Sequence, residues 1–170
     1  MIKIAASIGL AAIVVSAEAV LSLEALAKDL PVGRLRRATE SGKELGIGIG
    51  ARWNKACKST GIPQAVLDAA PEHGFVCLRT GLVKPSNVLF GGAKHCMPLE
   101  IEGIEVVYRS RPGFDGTDTL GYTLKFPRGT KPYNVEIRVK PAPGVGRRAN
   151  DPSFTRQPVG EIPSCAALVS

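Results

Sequence analysis

The sequence predicts an all-β protein folded as a single β-sandwich of about seven strands, and three observations support this. Segments of alternating apolar and polar residues recur about every ten residues, which is typical of sandwiches and barrels. The turns between them are rich in glycine and proline, with 19 Gly and 13 Pro in 170 residues, more than a helical bundle tolerates. This length fits one domain and excludes a multidomain enzyme. The 44% hydrophobic content excludes a disordered chain.

Residues 1–27 have the organisation of a secretory signal peptide. Lys3 supplies a positive charge, and an uncharged apolar run extends from Ile4 to Val15. This run is shorter than the ~20 residues that span a bilayer. Small residues at suitable spacing allow cleavage after Ala19 or after Ala27, and we favour Ala27 because the segment before it is still mostly apolar. We therefore expect an exported protein, periplasmic or secreted, with an uncleaved membrane anchor as the alternative.

The strands of the sandwich are expected within residues 44–140. Leu45 to Trp53 places Ile47 and Ile49 between glycines, a period of two residues that predicts a strand. Its glycines do not form a dinucleotide-binding loop, because no helix pattern follows them. Further strands are predicted at residues 62–70, 75–79, 104–108, 120–126 and 135–139, with turns or loops at residues 71–74, 81–90 (leading to a short strand), 111–116 and 127–132.

The segments that flank the sandwich are basic. Residues 28–43 are predicted to form a basic N-terminal arm, or else a first strand, and residues 141–170 an irregular tail rich in Pro, Gly and Arg. The net charge is +7, and such a protein attracts polyanions. Outside the cytoplasm these are anionic envelope glycans or a membrane surface rather than nucleic acid. The candidate polyanion-binding residues are Arg34, Arg36, Arg37, Arg147 and Arg148.

The four cysteines, Cys57, Cys77, Cys96 and Cys165, predict two disulfides, because an even number in an exported chain favours oxidation. Three pairings are possible, and the spacing does not choose among them. A metal site would need to combine cysteines with His73 and His95. Because no C-x-x-C or H-x-x-x-H spacing is present, we expect neither a metal nor another cofactor.

Four motifs follow one another in the second half of the chain: E-V-V-Y at 105–108, G-F-D-G-T-D at 113–118, Y-T-L at 122–124 and V-E-I-R-V at 135–139. Their order resembles the closing half of bacterial immunoglobulin-like and cadherin-like modules. The segment P-E-H-G-F-V at 71–76 is similar to a hairpin of the same modules. The resemblance covers about residues 44–140 and implies an immunoglobulin-like sandwich, as in small single-domain exported proteins of alpha-proteobacteria. It says more about fold than about function.

The loop at 113–118 and the residue Tyr122 have predicted structural roles. Gly113 and Gly116 allow positive φ in a tight loop, and Phe114 is expected to plug the end of the sandwich. Asp118 is expected to accept hydrogen bonds from loop amides. Tyr122 follows it by four residues, a spacing that matches a tyrosine corner.

An alternative for this loop is a calcium site that uses Asp115 and Asp118. Calcium takes six or more oxygen ligands, and the sequence places no further carboxylate with certainty beside these two.

The resemblance also implies a pairing of the cysteines. Related modules often carry one Cys near position 57 and one before the glycine of the strand at 104, which pairs Cys57 with Cys96. Cys77 then pairs with Cys165 and pins the tail. The alternative, Cys77 with Cys96 and Cys57 with Cys165, stays open.

No nucleophile elbow, zinc-protease helix or phosphate-binding loop is present. We therefore expect a non-catalytic binding, adhesion or envelope-structural module, whose partner is an unknown protein or an anionic glycan. One alternative is a small basic protein that binds anionic glycan or lipid surfaces. A third hypothesis is a metal protein or enzyme built around His73 and His95. Trp53, with the basic residues around it, is either a glycan-binding or phosphate-binding patch or a core residue beside the first disulfide.

Overall fold

The computed structural model describes residues 28–90, 92–143 and 154–168. The predicted signal peptide (residues 1–27), Arg147 and Arg148 lie outside this part. The all-β prediction is confirmed, and seven of the strands in this part have six or more residues. The strands are β1 (Lys28–Asp29), β2 (Gly33–Glu40), β3 (Glu44–Ala51), β4 (Gln64–Ala69), β5 (Gly74–Val83), β6 (Ile101–Ser110), β7 (Gly116–Phe126), β8 (Gly129–Lys140) and β9 (Gly160–Glu161).

The strands form two sheets. The larger sheet has the order β1-β8-β7-β4-β9, and β2 also pairs with β8; the smaller sheet has the order β3-β6-β5. All pairs are antiparallel except those of β1 and β2, which run parallel to β8. The gap between β1 and β2 contains Pro31 and lies opposite residues 131 and 132 of β8. Pro132 lies within β8. The turn predicted at residues 127–132 is thus limited to residues 127 and 128.

Of the two alternatives predicted for residues 28–43, the basic N-terminal arm is wrong and the strand is confirmed, because the segment belongs to the larger sheet. Strand β2 follows β8 in register from Gly33 opposite Tyr133 to Glu40 opposite Lys140. The segment carries Leu35, which packs against the core, and its charged neighbours project from an edge strand, where charge is tolerated. The sandwich therefore begins at Lys28 rather than at residue 44.

The core lies between the two sheets and consists of their inward-facing side chains. Tyr108, Val106 and Val76 come from the smaller sheet, and Tyr122 and Ile137 come from the larger one; all five are fully buried. Alternation along each strand sends every second side chain to this interface. The strands predicted at residues 104–108, 120–126 and 135–139 are confirmed within β6, β7 and β8.

Strand β3 contains a β-bulge between Gly46 and Gly48. A bulge inserts one extra residue and shifts the alternation of the side chains. Ile47 is consequently buried in the core, whereas Ile49 is 41% exposed. The strand predicted from the alternation of these isoleucines with glycine is confirmed, but the two side chains lie in different environments.

The tail covers the sandwich edge formed by β4 and β5. Strand β9 pairs with β4. The side-chain amide of Gln157 accepts from N–H of Val76 at 2.7 Å and donates to its carbonyl at 2.9 Å. The N–H of Leu78 donates to the carbonyl of Pro163 at 2.8 Å. These contacts satisfy edge groups that would otherwise be open to pairing with another chain.

Residues 84–90 hold no strand, so the short strand expected after the loop at 81–90 is absent from this segment, and β5 instead continues to Val83. The only helices among the described residues are two short 3₁₀ helices, and neither has the length and apolarity of a membrane-spanning segment.

Candidate functional site

Asp118 is the centre of a buried hydrogen-bond network. Its carboxylate accepts from the backbone N–H of Glu72, His73 and Thr119 at 2.9–3.0 Å. The hydroxyl of Tyr108 donates to Oδ2 at 2.9 Å. The expectation that Asp118 accepts loop amides is therefore confirmed. Because both oxygens face hydrogen-bond donors, this carboxylate supports the loop and is not arranged as a calcium ligand.

The rest of the predicted loop also has a structural role. Gly113 and Gly116 have φ of 82° and 143°, as expected. Phe114 is buried and stacks on the ring of His73, with the ring centroids 4.1 Å apart. His73 is thus packed against the loop, and its Nδ1 lies 3.0 Å from a guanidinium nitrogen of Arg111.

The tyrosine corner predicted at Tyr122 is wrong. Its hydroxyl makes no hydrogen bond within the described part of the chain, and the tyrosine that bonds Asp118 is Tyr108, on the other sheet. Side chains on β7 alternate, so Asp118 and Tyr122 both face inward, but the three residues between them place the Tyr122 hydroxyl farther along the core. There it lies against Gly48 of β3, where an added Cβ would overlap the hydroxyl.

Two disulfides, Cys57–Cys96 and Cys77–Cys165, join the four cysteines. This is the pairing implied by the resemblance, and it leaves no free thiol. Side-chain atoms of Cys57, His95 and Cys96 lie within 4.8 Å of one another. The two sulfurs are bonded to each other, however, so neither is a thiolate that a metal could use. Nε2 of His95 lies 3.2 Å from the carbonyl oxygen of Lys55. His73 instead stacks on Phe114, so the contacts of the two histidines are separate.

The candidate polyanion-binding arginines do not share one face. Arg34 and Arg36 project outward from β2, and Arg36 lies 3.6 Å from Glu136 in an ion pair. Alternation places Arg37 on the same side of β2 as Leu35, which packs against the core. Arg147 and Arg148 fall outside the described residues. The structure therefore separates Arg37 from Arg34 and Arg36.

Arg37 instead lines a cavity of about 710 Å³, within the ~300–1,000 Å³ that is common for small-molecule sites. One wall is strand β3, and the opposite wall carries Leu35 and Arg37 of β2 with Tyr122 and Tyr133 of the larger sheet. Residues 85–90 lie along the cavity. The edge strands β2 and β3 do not pair with each other, which leaves this side of the sandwich open, in contrast to the side covered by the tail.

Aromatic side chains contribute much of the cavity wall. Trp53 donates from Nε1 to the carbonyl of Ala93 at 3.0 Å, which fixes the indole against the segment that carries Cys96. Phe90 contacts Phe126, with their ring centroids 5.3 Å apart. Trp53 is half-buried. The predicted patch of Trp53 with basic residues forms part of the cavity wall, where Trp53 lies together with Arg52 and Lys55.

At this cavity, and among the described residues, the hydroxyl of Tyr122 is a buried polar group with no hydrogen-bond partner. The side chain is fully buried, and its ring stacks on Tyr133 with a centroid distance of 5.1 Å. Burial raises the pKa of the Tyr122 hydroxyl, the neighbouring Tyr133 raises it further, and the charge of Arg37 opposes both. The Tyr122 hydroxyl is therefore neutral at ordinary pH, and it can donate a hydrogen bond.

No protein-family model, curated protein or solved structure matches the chain. The immunoglobulin-like and cadherin-like resemblance therefore stays a prediction.

Sequence reasoning missed this cavity because its walls come from segments that are far apart in the chain. Leu35, Ile47, Phe90 and Tyr133 line it together, yet no local motif links them. One signal was present: the glycines of β3 remove side chains where another group approaches closely, and Gly48 is the position that admits the Tyr122 hydroxyl.

Proposed function

We propose that this protein is a non-catalytic, immunoglobulin-like binding module of an oxidising, extracytoplasmic compartment, and that it binds a small ligand in the cavity between β2 and β3. The single observation that carries this proposal is a cavity of about 710 Å³ with aromatic walls and the buried, unpartnered hydroxyl of Tyr122. Pockets of this kind, apolar with a few polar groups, are the usual small-molecule sites of proteins.

The chemistry of the remaining side chains supports a binding role over a catalytic one. The four cysteines are held in disulfides, so no thiolate is available as a nucleophile. His73 is stacked on Phe114. Export is supported by the same disulfides, which persist in oxidising compartments, together with the signal-like N-terminal sequence.

Binding in the cavity is tested with N-phenyl-1-naphthylamine, a neutral apolar dye whose fluorescence rises in an apolar site. We expect one saturable site on the full chain. The variant Ile49→Trp fills the cavity and should weaken binding at least tenfold. Leu82→Trp enlarges a side chain that is 69% exposed and does not line the cavity, and it should bind as the wild type does. Absence of a saturable site, or equal binding by Ile49→Trp, would refute the proposal.

Export is tested separately by producing the full-length sequence in a Gram-negative host. We expect a periplasmic protein that begins after Ala27 or Ala19, with a mass lower by four hydrogens than that of the reduced chain, since each of the two disulfides removes two. A cytoplasmic, uncleaved product with free thiols would contradict this part of the proposal.

A further inference from the structure

The charges that line the cavity are unbalanced. Four basic side chains line it, and the acidic group there is Glu105, which is already bonded to Arg79 at 3.0 Å. Within the described ranges, none of the four basic side chains forms an ion pair with an acidic side chain. Uncompensated positive charge in a concave site attracts anions. The four basic residues are Arg37, Arg52, Lys55 and Arg128.

Beside this charge the cavity offers apolar surface. Leu35 and Ile47 contribute aliphatic side chains, and Trp53, Phe90 and Phe126 contribute rings. Such walls favour an apolar body, because burial of apolar surface is favourable. A purely polar anion, such as inorganic phosphate, would leave these walls without a partner.

The Tyr122 hydroxyl supplies the second polar anchor. A buried hydroxyl without a partner is unfavourable, and an acceptor on a bound molecule would remove that penalty. Arg37 lines the same cavity, its side chain is exposed, and its guanidinium donates to the carbonyl of Arg36 at 3.1 Å. A guanidinium and a phenol that line one cavity together match a carboxylate, which accepts from both.

We infer that the ligand is an amphiphilic anion, an acyl chain with a single carboxylate, whose chain lies against Leu35, Phe90 and Phe126 and whose carboxylate is bound by Arg37 and the Tyr122 hydroxyl. This inference rests on the proposed function, because it names the ligand class of the same cavity. It assigns a binding role to Arg37 that Arg34 and Arg36, on the opposite face of the strand, do not have.

The test is displacement of N-phenyl-1-naphthylamine from the oxidised full chain by single-chain amphiphiles below their micelle concentrations. We expect dodecanoate to displace the dye at concentrations at least tenfold lower than 1-dodecanol or dodecyltrimethylammonium. Arg37→Gln should abolish this preference, so that dodecanoate displaces the dye no better than dodecanol does. Arg34→Gln removes the same charge from the outward face of β2 and should keep the preference. Tyr122→Phe should weaken dodecanoate alone, by about three- to tenfold.

Each other outcome refutes the inference in a distinguishable way. Dye binding with equal displacement by dodecanoate and dodecanol would refute the anionic ligand and leave the binding function standing. Absence of dye binding would refute both. A preference lost equally in Arg34→Gln and Arg37→Gln, together with retention on vesicles of phosphatidylglycerol, would show that an outer basic surface binds membranes, and that the cavity does not select the ligand.

Discussion

The hydroxyl of Tyr108 donates to Oδ2 of Asp118 at 2.9 Å, and both side chains are buried. Tyr108 lies on β6 of the smaller sheet and Asp118 on β7 of the larger one. The bond therefore joins the two sheets through the core. Because Asp118 also accepts from the N–H groups of Glu72 and His73, the connection between β4 and β5 is held at the same point.

Removal of one hydroxyl from each buried tyrosine is predicted to have unequal effects on stability. Tyr108→Phe takes a donor from a buried carboxylate and should lower the free energy of unfolding by about 1–3 kcal/mol. Tyr122→Phe removes a hydroxyl that has no partner among the described residues, so unfolding free energy should stay the same or rise by up to about 1 kcal/mol. Urea denaturation of the two variants measures the difference. An equal loss in both would contradict the assignment of partners.

The three tyrosines are predicted to set the alkaline limit of stability. Burial raises the pKa of the hydroxyls of Tyr108, Tyr122 and Tyr133 above the ordinary value of about 10; for Tyr108 the charge of Asp118 adds to this effect. A raised pKa in the folded state favours the neutral hydroxyl, so this stability is present below pH ~10. It is lost as the pH rises further, because the unfolded chain releases its protons first.

For Tyr108 and Tyr122 the loss should approach about 1.4 kcal/mol per pH unit for each residue above pH ~10. Urea denaturation midpoints between pH 8 and pH 11 measure this loss of stability. Absorbance at 295 nm measures the formation of tyrosinate in the same samples. Tyrosinate formation by these residues while the chain is still folded would contradict the prediction. The double variant Tyr108→Phe/Tyr122→Phe should show a flatter profile.

Gly48 is predicted to be intolerant of any side chain. The Cβ of Gly48→Ala would overlap the Tyr122 hydroxyl, and overpacking of this kind costs about 1–3 kcal/mol. Gly81→Ala is the matched control, since an added Cβ there meets nothing within 4 Å. The double variant Gly48→Ala/Tyr122→Phe should recover much of the loss, as a urea-based double-mutant cycle would show. Equal costs for Gly48→Ala with and without Tyr122→Phe would place the strain elsewhere.

The two disulfides are predicted to differ in what they support. Each closes a long loop, with separations of 39 and 88 residues, and in the chain-entropy model each contributes about 4–5 kcal/mol. Cys77→Ser/Cys165→Ser should therefore lower stability and keep dye binding in the molecules that remain folded. Cys57→Ser/Cys96→Ser releases the segment bonded to Trp53 and should weaken dye binding as well. Denaturation curves and dye titrations at a temperature where both variants are folded separate the effects; identical titrations would contradict the second expectation.

The part of the fold that sequence could predict is the part in which local pattern decides structure. Alternation at Leu120, Tyr122 and Leu124 was sufficient to place β7, because inward residues of a sandwich strand are apolar. Segment 28–43 was harder, since Leu35 stands among arginines and only pairing with β8 makes it a strand. The cavity could not be predicted, because the position of Arg37 on the Leu35 side of β2, beside the cavity, depends on that same long-range register.

The predicted loop illustrates the same limit within a single motif. Gly113, Gly116 and Asp118 act locally, and their roles were correct. The tyrosine corner at Tyr122 was wrong, because its hydroxyl lies against Gly48 of the other sheet, and Tyr108, also from that sheet, is the tyrosine that bonds Asp118. Contacts across the core depend on the packing of both sheets, which spacing along one strand does not contain.

The bond between Cys77 and Cys165 also constrains the order in which the molecule is completed. A ribosome makes Cys57, Cys77 and Cys96 long before Cys165, which follows Cys77 by 88 residues. Wherever the chain meets an oxidising compartment before Cys165 has arrived, three thiols can pair with one another, and only the bond between Cys57 and Cys96 is native. A nascent chain that oxidises too early would join Cys77 to a wrong partner, so correct maturation depends on slow oxidation or on an isomerase that reopens the error.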